Sequence, residues 1–425
     1  MMRLILSGSV VGFWALPVMF LVFLVPQSFI VSYFFSDYTS FGVLLISLLA
    51  VVCYLFGGVL AVCYSRGRVL FVQGWRKTIF VGVFFVYFIS YLGLYYFYGG
   101  VPLLDLILDG GNASVLRAKF YKDLEGFPQL LAYIRSILTR GFLPFAIVAL
   151  FMLKGRFVFY ITLFFITFLS LSAMEKSLLI WAYIPLLIYQ YSINCKKDLF
   201  FCFFIAVFAF VFISMVSVNE PQGGYVYNSG SSQHSSSEWS FKTASSITYP
   251  ASSVNASLVE EEDHQFILHD LREGTVYSYM LNRIVWIPFV TVYDTIAYWS
   301  ATYDGFLLFS VNRHLSKVFG VKFADLEREV FRYQFGSGEE STGNANAAFI
   351  AEAYVGFGLA GVAWFSFFLG LIFGWVARAG TAPFVYSLPV IAVGLLSASF
   401  LSMLFSGGLV FFIIFFIFFS RSIHE

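Results

Sequence analysis

Charge is what this chain most lacks. Only 12% of its 425 residues are Asp, Glu, Lys or Arg, against 60% that are apolar. Soluble globular chains carry about a quarter charged residues and about half apolar ones, so an ordinary soluble domain is excluded. The few charges nearly cancel: 25 Lys and Arg face 24 Asp and Glu, for a formal net charge of +1. That balance excludes the basic stripe a nucleic-acid partner requires. Cysteine is almost as rare. Cys53, Cys63, Cys195 and Cys202 all fall in apolar blocks or at their ends. The long polar stretch has none, which excludes a disulfide framework and a Cys-based zinc site there. Three catalytic signatures are also missing. There is no P-loop ending in Lys-Ser/Thr and no His-Glu-x-x-His, and no Gly-x-Ser-x-Gly nucleophile elbow.

What is present is apolar length. The mean hydropathy is +0.83, and most of the chain falls into apolar blocks of roughly 17–25 residues, enough to cross a bilayer. Spans are expected near 10–35, 41–64, 79–99, 139–153, 157–173, 178–193, 199–218, 349–377, 383–401 and 405–420. The apolar stretch before Phe35 runs far past a signal-peptide core, with no small-residue cleavage site after it, and reads as an uncleaved first span. The expected fold is an all-α polytopic membrane protein of roughly ten transmembrane helices. It divides into an N-terminal bundle over 1–218, a large external loop over 219–346, and a C-terminal group of spans over 347–425.

Basic residues in short loops set the orientation. Arg66, Arg68, Arg76 and Lys77 lie in one such loop, Lys154 and Arg156 in the next, Lys196 and Lys197 in a third, and Arg378 in a fourth. Arg3 and Arg421 mark the two ends. All fall on the cytoplasmic side if the span count is even. Two segments then lie outside, 99–139 and 219–346. The first half of the larger one, 219–262, is Ser-rich and too polar to offset its ordering entropy. Further on, Tyr277, Met280, Ile284, Ile287 and Thr291 recur at helical spacing, which predicts an amphipathic interfacial helix. Residues 322–332 read as a charged surface helix.

Several residues in or near these outer segments can carry chemistry. Arg117, Lys119, Lys122, Arg135 and Arg140 lie in the first, and Arg272, Arg283, Arg313 and Lys317 in the second. Arg presents a planar fork that matches phosphate oxygens. A cluster of cations beside the outer leaflet suits a lipid-linked phosphate or pyrophosphate; solubility and head-group contact are the plainer account. Glu175 and Lys176 sit at the outer turn of a predicted helical hairpin. An ionisable pair at that depth points to function or to a structural ion pair. Glu352 falls in the first turns of a span beside Tyr354, with Gly356, Gly358 and Gly361 allowing close helix contact. It can act as a base, position a hydroxyl, or simply snorkel. Asp294 stands behind it, and Trp286, Tyr298 and Trp299 can stack on sugar rings or be buried.

Three patches carry a family resemblance. The first is Gly99-Gly100-Val101-Pro102-Leu103-Leu104 followed by Arg117 and Gly126. The second is the polar turn from Ala173 to Ser177. The third runs from Asn344 to Gly361, with Glu352-Ala353-Tyr354 and Phe357-Gly358-Leu359-Ala360-Gly361. In these and in its layout the chain resembles the Wzy-type O-antigen polymerases, the oligosaccharide repeat-unit polymerases of bacterial inner membranes. About 60 residues carry the likeness. The related ligases carry a His just ahead of their Gly-x-x-Gly element. Here Asn344 and Asn346 stand in that region and the nearest His is His314, which favours polymerase over ligase. The resemblance implies glycosyl transfer between undecaprenyl-pyrophosphate-linked glycans at the periplasmic face. It implies membrane lipid as surroundings, room for a chain-length regulator as partner, and no metal or nucleotide cofactor. Arg117, Lys176, Arg283 and Arg313 are then expected to clamp pyrophosphate, with Arg135 and Arg140 in reserve. Glu352 is expected to act as base or to position the acceptor, with Asp294, Asn344 and Tyr354 in supporting positions. An O-antigen ligase and a glycolipid transporter are the alternatives.

Overall fold

The structure, a computed structural model, describes residues 8–64, 68–70, 72, 74–109, 113–121, 124–153, 156–218, 285–335, 345, 348–379 and 381–422. Arg283, Asn344 and the Ser-rich stretch over 219–262 lie outside them.

The first half is a run of apolar helices: α1 (Gly8–Phe23), α2 (Val25–Phe35), α3 (Tyr38–Tyr64) and α4 (Trp75–Tyr98). Local chemistry sets their ends. Pro26 opens α2, where a missing N–H costs nothing. Asp37 Oδ2 accepts from the Ser40 amide at 2.6 Å and so caps α3. Gly99, at φ +82°, closes α4 by donating to the carbonyls of Tyr95 and Tyr96. The expected outer segment over 99–139 is helical: α5 (Pro102–Asp109), α6 (Ala113–Tyr121) and most of α7 (Phe127–Gly141). Then come α8 (Leu143–Leu153), α9 (Arg156–Ser172), α10 (Lys176–Ser192) and α11 (Lys196–Val218).

The second half begins with α12 (Ile287–Thr302), a 3-10 turn over Leu308–Val311, α13 (Arg313–Phe319) and α14 (Leu326–Phe335). It ends with α15 (Phe349–Ala379), α16 (Ala382–Ser397), α17 (Phe400–Leu404) and α18 (Leu409–Phe419). A short antiparallel ribbon joins β1 (Arg68–Leu70) to β2 (Ser420–Ser422), with Val69 opposite Arg421. The ribbon puts the basic α3–α4 loop and the segment after α18 at one end of the bundle, as the charge pattern requires.

The chain is a multi-pass membrane protein by the length and composition of its helices. Six or seven of the ten expected spans are long and apolar enough to cross. Among the described residues six helical runs are long and apolar enough to cross: Val10–Phe34, Tyr38–Tyr64, Trp75–Leu108, Lys196–Val216, Phe349–Ala379 and Phe400–Phe419. A seventh counts if α7 and α8, bent by 56°, make one broken span. The expected fifth, sixth and ninth spans are the shorter helices α9 and α10, of 17 residues each, and α16, of 16. At 1.5 Å per residue these reach only about 25 Å, short of the roughly 30 Å hydrocarbon core.

The bundle is built on α3 and α15. A Cβ on Gly370 would come within 2.0 Å of the Tyr54 carbonyl oxygen, and one on Gly374 within 2.6 Å of the Gly58 carbonyl. The two helices therefore meet backbone to backbone, the contact that small residues four apart allow in a membrane. Tyr54 also donates to the carbonyl of Phe13 at 2.8 Å and ties α1 to the pair. Elsewhere phenylalanines fill the interior, with Phe145 stacked on Phe384 at 4.3 Å. Of the expected amphipathic segment, Tyr277, Met280 and Ile284 lie outside the described residues; Ile287 and Thr291 fall on α12, which buries Phe289, Val292 and Ile296. The expected surface helix appears as α14, but it buries Leu326 and Val330 against Val355 of α15. It is docked rather than free on the surface.

Candidate functional site

Two carboxylates, one partly buried and one buried, organise the polar interior. The first is Glu175, in the turn between α9 and α10. That turn passes through Met174 at φ +52°, a left-handed conformation uncommon for a side-chain-bearing residue. It is held by the Glu175 amide donating to the Ser170 carbonyl and by Ser170 Oγ donating to the Glu175 carbonyl. The carboxylate meets Arg135 Nη1 at 2.5 Å. Tyr121 donates to the same oxygen at 2.9 Å and Tyr91 at 3.2 Å, and Ser177 donates to the other at 2.9 Å. The Arg135 guanidinium lies 4.2 Å from the Tyr121 ring centroid, a cation–π contact. Four elements thus converge on one ion pair: α4, α6, α7 and the α9–α10 turn.

Sequence reasoning set Glu175 beside Lys176; the structure instead pairs it with Arg135, forty residues earlier. Arg135 is only 8% exposed and lies on the first arm of the bent α7–α8 pair. Lys176 opens α10 with its Nζ 5.8 Å from the Phe210 ring. Arg117 stands on α6 one turn before Tyr121, its Nε donating to the Ala113 carbonyl at 3.1 Å. Arg140, in the last turn of α7, feels the charges of both Glu175 and Arg135. Two of the expected cations, Arg135 and Arg140, therefore act on Glu175, and Lys176 follows it in the chain. Arg313 is exposed at the start of α13, whose contacts are with the 3-10 turn.

The second carboxylate is Glu352, 4% exposed in the first turn of α15. Its Oε2 accepts from the Leu401 amide at 3.3 Å, at the start of α17. Six residues on, α15 breaks: Gly358 has φ +65° and ψ −154°. The break leaves the Val355 carbonyl without its helical partner, and the Leu307 amide donates to it at 3.0 Å. The Phe306 ring lies where a Cβ on Gly358 would be, at 2.8 Å, so only glycine fits. Trp299 stacks on Phe306 at 5.6 Å and meets the Tyr354 ring edge-on at 5.7 Å. Asp294 lies on α12 beside Tyr293, whose hydroxyl donates to Asp37 at 3.3 Å. Trp286 packs on Phe289, and Tyr298 on Tyr303 and Tyr333.

The segment over 398–408 touches both regions. It caps Glu352 through Leu401. At its other end, the Ser406 carbonyl accepts from Ser136 of α7 at 3.4 Å, and Gly408 abuts Gly141.

Sequence reasoning missed Glu327 as well as the tyrosines. Glu327 is partly buried on α14 and within electrostatic reach of Glu352. Burial, and then the neighbouring Asp325 carboxylate, raise its pKa to about 7. The signal for the tyrosines was present as a four-residue stripe, Tyr87, Tyr91 and Tyr95, along one face of α4. Among the described residues no three His, Cys, Asp or Glu side chains come together to hold a metal ion. Compared with known protein families, curated proteins and solved structures, the chain matches none.

Proposed function

We propose that the protein polymerises oligosaccharide repeat units carried on undecaprenyl pyrophosphate, at the periplasmic face of a bacterial inner membrane. The observation that carries this reading is the pairing of Glu175 with Arg135, with Arg140 within electrostatic reach of both. It joins the resemblance in the Gly100-Val101-Pro102 and Glu352-to-Gly361 patches. In the reaction, an acceptor hydroxyl oxygen on the incoming unit bonds to the anomeric carbon of the growing chain. The bond from that carbon to the pyrophosphate oxygen breaks, and its electron pair leaves with the pyrophosphate. The hydroxyl proton passes to a carboxylate, for which Glu352 is the candidate. Cations near the leaving oxygen stabilise the charge that develops there, and fixed placement of the acceptor lowers the entropic cost of the step.

Replacement of Arg117 by Ala tests this reading in cells whose own copy is deleted. Long surface polymer should disappear while lipid capped with a single repeat remains, at unchanged protein level. Polymer that forms but stays unattached would point to a ligase. A second reading, a glycolipid transporter, draws on the broken helix at Gly358, since discontinuous helices line many transport sites. Repeat units trapped on the inner leaflet of the deletion strain would favour it.

A further inference from the structure

The break in α15 fixes where the membrane surface lies. From Gly358 to Ala379 the helix has about 20 residues, about 30 Å at 1.5 Å per residue, which by itself crosses the hydrocarbon core. Leu359 and Trp364, just past the break, are exposed, as side chains facing lipid are. The break therefore sits at the edge of the hydrocarbon. The segment between α12 and α14 is docked at this level. The Leu307 amide bonds to the Val355 carbonyl, Phe306 covers Gly358, and the Phe309 ring meets Phe357 edge-on at 5.5 Å. Phe309 also stacks on Phe319 at 4.0 Å, which brings the end of α13 to the same place.

That end of α13 carries an apolar tip. Val318 is 76% exposed, and Phe319, Val321, Phe306 and Leu308 are exposed with it. Single exposed apolar residues are ordinary on a protein surface, but a group of them around one point marks a contact. The tip is also a fixed turn. Gly320, at φ +66°, lets the Val321 amide donate to the Ser316 carbonyl at 2.9 Å, and the Ala324 amide donates to the Ser310 carbonyl at 3.0 Å. Exposed Lys317 and Lys322 flank it. An apolar tip between cations, at the edge of the hydrocarbon, fits one occupant: acyl chains at the tip and anionic head groups at the lysines. We propose that the Val318–Val321 turn, with Phe306 and Leu308, inserts into the leaflet at the Glu352 end of the bundle and anchors the α12–α14 segment to lipid. The anchor holds that segment against the broken end of α15. It stands independently of the glycosyl-transfer reading.

The test places a photocrosslinker in the full-length chain. Val318→benzoylphenylalanine is purified into nanodiscs of mixed phosphatidylcholine and phosphatidylglycerol, irradiated, and its adducts identified by mass spectrometry. Trp364→benzoylphenylalanine, on an exposed position of the α15 span, is the reference for lipid contact. The label at Val318 should give phospholipid adducts at a yield within a few-fold of that reference. Val321→benzoylphenylalanine, on the other side of Gly320, should do the same, so that a misfolded first variant does not decide the matter. With Lys317→Gln and Lys322→Gln added together, the ratio of phosphatidylglycerol to phosphatidylcholine adducts should fall by about fivefold or more, the worth of one lysine near an anionic surface. Adducts confined to the chain itself at both positions, while the label at Trp364 marks lipid, would overturn the anchor. So would adducts to a second protein in place of lipid when the same variants are irradiated in whole membranes. An adduct ratio unchanged by the double substitution would overturn the part given to the lysines.

Discussion

Glu175, partly buried, and Glu352, buried, both lie close to a helix start and are satisfied in opposite ways. Glu175 is surrounded by a guanidinium and three side-chain hydroxyls drawn from four separate elements. Glu352 takes its partner from the backbone, the Leu401 amide, beside a helix that breaks six residues later. The first arrangement ties distant parts of the chain together and leaves its carboxylate little liberty. The second holds a carboxylate by a donor that a neutral carbonyl would satisfy equally well. The contrast separates a carboxylate locked in an ion pair from one that the proposed function casts as the base.

The largest effect should come from Glu352→Gln. The amide carbonyl still accepts from Leu401, so the fold is kept. Polymer formation in membranes should fall by about 10²–10⁴-fold, the usual loss for a general base. Chain lengths that stay normal in this variant would make Glu352 structural and erase the contrast. Glu175→Ala should do the opposite and act through stability. Removing one partner of a buried pair costs about 3–5 kcal/mol, read as a lower unfolding midpoint or loss of folded protein from detergent extracts. A midpoint within a degree or two of wild type would show that the ion pair adds little to stability.

Glu327 sharpens the comparison as a third case, a partly buried carboxylate whose close neighbour is another acid, Asp325. Its pKa rises from 4.5 to about 7 in the folded chain. Between those values the folded chain holds a proton that the unfolded chain has released, so stability falls as pH rises across that window. The full drop is about 3 kcal/mol by the usual conversion of a shift of this size. Unfolding midpoints measured from pH 4.5 to 8 should show it, and Glu327→Gln should flatten it. An unchanged slope in that variant would place the effect elsewhere.

Parts of this arrangement were open to reading from residues alone. A run such as Tyr38–Tyr64, apolar along its length, crosses a bilayer whatever it packs against. Glu352, in the first turns of a span, stood out as a base or a snorkelling side chain; its burial did not. The number of spans was harder to read, because hydropathy does not distinguish a short helix such as α9 or α16 from a full crossing. The GxxxG pair at Gly370 and Gly374 was visible, yet nothing in it named Tyr54 and Gly58 as what it would meet. Arg135 was taken for a residue of an outer loop. It lies instead on a helix joined to a bent span, since an apolar stretch continued by Leu131, Ile134 and Leu138 stays helical past its charges.

Membrane residence and helical class follow from composition and apolar length, because a backbone in hydrocarbon must satisfy its own hydrogen bonds within each segment. Which charges meet is another matter. Arg135 and Glu175 lie forty positions apart, and Glu352 and Leu401 forty-nine. Only the packing of α4, α6, α7 and the α9–α10 turn around one point, and of α17 against the start of α15, brought them together. Electrostatic contacts depend on distance in space, and a one-dimensional pattern carries no measure of it.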